Sequence, residues 1–269
     1  MSSSRGSLLP VIGALFVLFI IMLAIGRNPG NPQPASSNST PRYAPVGNPI
    51  EDILGTGPSV RKEGVAAAIL IDTSGSMKET VKDATGTLQP KLAIARRSAL
   101  DFVTQFETYS KEHPDQMVYL GIYEFSDRRH EAPYRKLVAI GPPNVETART
   151  ALARMSADGG TPIGDAMIAA KRDLDAAGLS KRHIVVVTDG ENNLGYSPSD
   201  VTRAILNSKS ESDHASIYFV AFDVAASKFN DVKNAGGLVL AASNETDLKS
   251  TLDYLLTGKI LAEQPTQPR

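Results

Sequence analysis

The sequence contains no cysteine. That absence excludes disulfides, thiolate zinc sites, iron–sulfur clusters and a thiol nucleophile. It suits an oxidising compartment, where a stray thiol is a hazard, although many cytoplasmic proteins share it. A surplus of charge is missing too: 28 Lys and Arg stand against 29 Asp and Glu, a net −1 over 269 residues. Without a basic surplus, nucleic acid is not an expected partner. The histidines, His113, His130, His183 and His214, are dispersed and form no His-x-x-His pair of the zinc-binding kind. Neither Gly-x-x-x-x-Gly-Lys-Ser/Thr nor Gly-x-Ser-x-Gly occurs, which removes the signatures of P-loop phosphoryl transfer and of serine hydrolysis. What remains, 42% hydrophobic and 21% charged residues, is ordinary for a globular protein.

One long apolar run lies near the amino end, over residues 8–25. As a helix it would be about 27 Å long, close to the roughly 30 Å hydrocarbon core of a bilayer. It exceeds the apolar length of a cleaved signal, so an uncleaved transmembrane anchor is the expectation. Ala24 and Gly26 keep a cleaved signal open, and a helix of a soluble fold is the third alternative. Arg5 precedes the run with no acid before it, and Arg27 follows. The positive-inside rule then leans toward a cytoplasmic amino terminus. The expected location is a single-pass membrane protein whose domain lies outside the cytoplasm, at the periplasm or cell surface.

Five stretches follow: a tail at 1–7, the anchor at 8–25, a linker at 26–59, one domain at 60–258 and a flexible tail at 259–269. The linker is rich in Pro, Ser, Asn and Gly near its start and cannot offset the entropy of folding. Within the domain, short apolar runs at 65–71, 183–188, 216–221 and 238–240 read as strands buried on both faces. Between them apolar residues recur at helical spacing, as in Leu92, Ala95, Ala99, Phe102, Val103 and Phe106. Asn144 before Val145, and Ser197-Pro198-Ser199-Asp200 before Val201, read as helix starts; Gly178 reads as a helix stop. The stretches 117–125 and 134–140 read as a hairpin. The expected fold is α/β: a doubly wound, mostly parallel sheet with one antiparallel edge strand and helices on both faces. Ligands of such sheets bind beyond the carboxyl ends of the strands.

Two strand ends carry the chemistry. The first runs into Asp72-Thr73-Ser74-Gly75-Ser76, and another into Asp189-Gly190-Glu191-Asn192-Asn193. Alternate spacing lets Asp72, Ser74 and Ser76 point the same way from a tight turn, and Asp189 would face them. A third loop, Asp158-Gly159-Gly160-Thr161, opens a helix and offers the Thr161 hydroxyl. These hard oxygen donors suit Mg²⁺, and also Mn²⁺ or Ca²⁺. The plainer alternative for Asp72 and Asp189 is capping of the loops that follow them. An aspartic protease would need a second Asp-Thr/Ser-Gly loop sharing a proton with the first, and Asp189-Gly190 lacks it.

The ordered set Asp72-x-Ser74-x-Ser76, Thr161 and Asp189-Gly190 resembles the metal-ion-dependent adhesion site of von Willebrand factor type A domains, in a membrane-anchored, bacterial-type setting. The resemblance covers roughly residues 60–257. Each phrase alone is weak, and three in order at strand ends are specific. The resemblance implies one divalent cation held by Asp72, Ser74, Ser76, Thr161 and Asp189, no catalysis, and a protein partner that binds the cation through an Asp or Glu carboxylate. A scaffold or ATPase-linked adaptor with a structural metal is the second reading, and a Mg²⁺-dependent phosphoryl-transfer enzyme a distant third. The stretch 78–90 is longer than in compact members; Glu79 and Asp83 there read as solvated acids before they read as a second cation site.

Overall fold

The computed structural model describes residues 50–262, apart from 56, 59, 129, 130 and 209. In chain order the elements are α1 (Ile50–Leu54), β1 (Lys62–Asp72), β2 (Thr80–Lys82), β3 (Leu88–Pro90), α2 (Lys91–Glu112), β4 (Val118–Phe125), β5 (Tyr134–Gly141) and α3 (Val145–Leu152). They continue with α4 (Ile163–Ala177), β6 (Leu179–Thr188), α5 (Pro198–Leu206), β7 (Ser216–Phe222), α6 (Asn230–Asn234), β8 (Leu238–Ala242) and α7 (Glu245–Leu255), which runs on into a π-helical turn, Leu256–Ile260.

Six strands form one sheet in the order β5-β4-β1-β6-β7-β8. All neighbours are parallel except β5, which runs antiparallel to β4 at the edge. The doubly wound, mostly parallel arrangement is therefore the one expected. β1 is buried on both faces from Val65 to Asp72, and its alternate residues serve two cores. Val65, Ala67, Ile69 and Ile71 meet Phe102 and Phe106 of α2, Leu152 of α3 and Leu248 and Leu252 of α7. Ala66, Ala68 and Leu70 face Met167 and Leu174 of α4 and Val201 and Ile205 of α5. Each fully buried Ile, Leu or Phe contributes about 1.5–3 kcal/mol.

Helix ends follow the local signals. Asn144 accepts from Thr147 N at 2.7 Å, and Ser197 from Asp200 N at 3.4 Å with Pro198 opening the helix. Gly178 closes α4 in the left-handed region, φ 68°. The compact part starts earlier than residue 60, because Ile50 and Ile53 pack on the second core and Leu54 is buried. It also reaches past 258, since Ile260 is fully buried.

One expectation is corrected. No helix among the described residues is long and apolar enough to cross a membrane. The run at 8–25, on which the expected membrane anchor rests, lies outside the described residues. The single-pass, extracytoplasmic location is withdrawn.

Candidate metal centre

β1 and β6 are neighbours, so their carboxyl ends bring Asp72 and Thr188 side by side. Past Asp72 the chain reverses. Ser74 N donates to Asp72 Oδ1 at 2.7 Å, and Thr73 N continues the sheet by donating to Phe125 O at 3.0 Å. The 3₁₀ turn Gly75–Lys78 then buries Met77 beneath the loop. Asp72 Oδ2 accepts from the Thr188 hydroxyl at 2.6 Å. Ser74 Oγ and Ser76 Oγ lie 3.1 Å apart, and Ser76 Oγ donates to Asp189 Oδ1 at 2.7 Å. Four of the sequence-selected residues thus form one hydrogen-bonded group.

Thr161 reaches the same place through main chain. Its N–H donates to Asn193 Oδ1 at 2.8 Å, its carbonyl accepts from Asn193 N at 3.3 Å, and its hydroxyl faces Gly190. Gly75 N donates to Gly159 O at 3.0 Å, joining the first loop to the second. Gly159, φ 81°, is required: a Cβ there would sit 1.9 Å from Asp127 O, within the bridge that pairs Asp127 with Gly160. Asn192 Oδ1 accepts from Ile163 N at 2.8 Å and so caps α4, whose own cap position is Pro162. Asn192 and Asn193 are therefore braces between loops, and Glu191 pairs with Lys228.

Burial dominates the electrostatics. Asp72 has no exposed surface, and burial pushes its carboxyl up to about 7 against the hydrogen bonds from Thr188 and Ser74. A carboxylate so costly to ionise is suited to a cation partner. Lys91, the first residue of α2, was not selected from the sequence, yet its Nζ lies 3.1 Å from Asp189 Oδ2 and 3.0 Å from both Glu79 Oε2 and Asp223 Oδ2. Burial alone would depress this ammonium, and the bonds to Glu79, Asp223 and Asp189 hold it above the ordinary lysine range. One signal pointed to it: a lysine opening a helix carries the wrong sign for the dipole.

Glu79 and Asp83 do not converge. Glu79 meets Lys91, whereas Asp83 Oδ1 accepts from Thr85 N and Thr87 N in its own turn. Among the described residues no group of three or more His, Asp or Glu could hold a metal. The donor set is two carboxylates with hydroxyls, all oxygen, which fits a hard divalent ion.

Residues 67–191 match the family model of the von Willebrand factor type A domain. No curated protein matches the chain. Among solved structures, a von Willebrand factor type A protein from Catenulispora acidiphila is 18% identical with a TM-score of 0.54, over 74% of this chain and 46% of that one. The pilus adhesin SpaC from Lactobacillus rhamnosus GG is 14% identical with a TM-score of 0.54, over 77% and 32%. The vWF domain of the type V pili tip protein Mfa5 from Porphyromonas gingivalis is 12% identical with a TM-score of 0.52, over 77% and 99%. This chain spans less than half of the first two, so the likeness is one of domain fold. The matched stretch and the sheet topology together make this chain similar to von Willebrand factor type A domains.

Proposed function

We propose that this domain binds another protein through a divalent cation, Mg²⁺ in the first instance, held by Asp72, Ser74, Ser76, Thr161 and Asp189. The observation that carries the proposal is the linked group of Asp72, Ser74, Ser76 and Asp189 oxygens at the carboxyl edge of the sheet. Bound there, the cation would supply a positive centre that attracts a carboxylate. Five side chains leave an octahedral ion one position for an Asp or Glu of the partner. Asp72 is buried and Asp189 nearly so, which strengthens that attraction by keeping water away. The role proposed for this group is binding and not catalysis. Two of the similar structures are a pilus adhesin and a pilus tip protein, which agrees with a binding role.

The scaffold reading gives the cation the task of holding the loops. Asn192, Asn193 and the Gly75–Gly159 bond already tie the loops through protein atoms. These braces favour the binding reading. A displayed peptide library selected in Mg²⁺ should return binders that contain an essential Asp or Glu. Their binding should fall at least tenfold in EDTA or with Asp72→Ala, a change expected to remove one charged metal donor. Binders indifferent to both treatments would sink the proposal.

A further inference from the structure

Lys91 draws together carboxylates from three separate places: Glu79 after the first loop, Asp189 after β6 and Asp223 after β7. Its side chain is only 4% exposed. Two local choices made at this point are unfavourable. A positive charge at the first helical position opposes the helix dipole. Asp223 holds a left-handed backbone, φ 54°, the only described residue other than glycine to do so. Both are explained if the ammonium needs these acids and the acids need it. Asp189 meanwhile has each oxygen engaged, Oδ1 by Ser76 and Oδ2 by Lys91.

We propose that Lys91 is a permanent counter-cation of the site, holding Asp189 in position whether or not a divalent ion is bound and keeping that ion's binding weak enough for exchange. The first part follows from burial: the Asp189 side chain has no exposed surface, and ionising it there is costly unless a charge such as the Lys91 ammonium stands beside it. The second follows from Coulomb repulsion between a fixed ammonium and a cation a few ångströms away. This deepens the metal-dependent reading, and its second part rests on that reading.

The experiment compares the wild type, Lys91→Met, Lys91→Arg and the pair Lys91→Met with Asp189→Asn. In EDTA, Lys91→Met should melt roughly 5–10 °C lower, because it strands a buried charge. Adding Asp189→Asn removes that charge and should restore most of the loss; if Lys91→Met does not fold at all, recovery of folding in the pair is the same rescue. In Mn²⁺ titrations followed by electron paramagnetic resonance, Lys91→Met should bind at least about tenfold tighter than the wild type, with Lys91→Arg unchanged. Failure of the rescue overturns the counter-cation role. Lys91→Met binding Mn²⁺ no tighter than the wild type overturns the tuning of affinity. Absence of Mn²⁺ binding in every variant overturns the metal-dependent reading and the tuning with it, while the rescue still decides the counter-cation role.

Discussion

His183 lies in β6 with no exposed surface, its ring stacked on Tyr218 at 5.9 Å between centroids. Burial, with Lys181 and Arg182 close by, pushes its pKa down to about 3. The folded protein keeps this ring neutral, whereas the unfolded chain takes up a proton below about 6.5. The stability this contributes is therefore present above about pH 6.5 and is lost as pH falls toward 3. By pH 5 the loss should be about 2 kcal/mol. Urea unfolding of the wild type and His183→Gln at pH 7 and pH 5 checks this; an equal fall in both variants would assign the effect elsewhere. At this scale the chain discloses donors better than it discloses partners. Asp72, Ser74 and Ser76 share a turn, so their spacing announces them. Lys91 is 98 residues from Asp189, and only its awkward place at a helix start hinted at the contact.

The loop after β6 does for α4 what the residue before that helix cannot. Pro162 offers no capping side chain, and Asn192 supplies the acceptor from across the site. Asn192→Ala should cost about 1 kcal/mol in chemical denaturation, the usual value of a lost cap. A change of no more than a few tenths would mean the helix end finds another acceptor. The longer elements were legible because their patterns repeat: α2 and β1 show their periods over many residues. α1 lies inside the stretch that reads as linker, because five residues hold little more than one turn, although Ile50, Ile53 and Leu54 have helical spacing. The stretch 78–90 gave no pattern either, and it forms the β2–β3 hairpin, held to α7 by Ala84 N donating to Glu245 Oε2 at 3.0 Å.

For the molecule as a whole, the two cores on either side of the sheet depend on elements at opposite ends of the described chain. α1 completes one and the turn after α7 completes the other. A chain beginning at residue 60 should melt about 5–10 °C below one beginning at residue 49, because Leu54 and its neighbours no longer cover the second core. Equal melting temperatures would show that α1 adds nothing to that core. The sheet order also bears on how the site comes into being. Thr188 and Asp72 are hydrogen-bonded although 116 residues apart, and Ser76 and Asp189 although 113 apart. A chain emerging in order has its first loop long before its third, and closing so wide an interval is slow relative to forming helices. The donors proposed for the cation therefore come together only once β6 has been inserted beside β1, which makes the candidate site a late product of folding and ties its presence to a completed sheet.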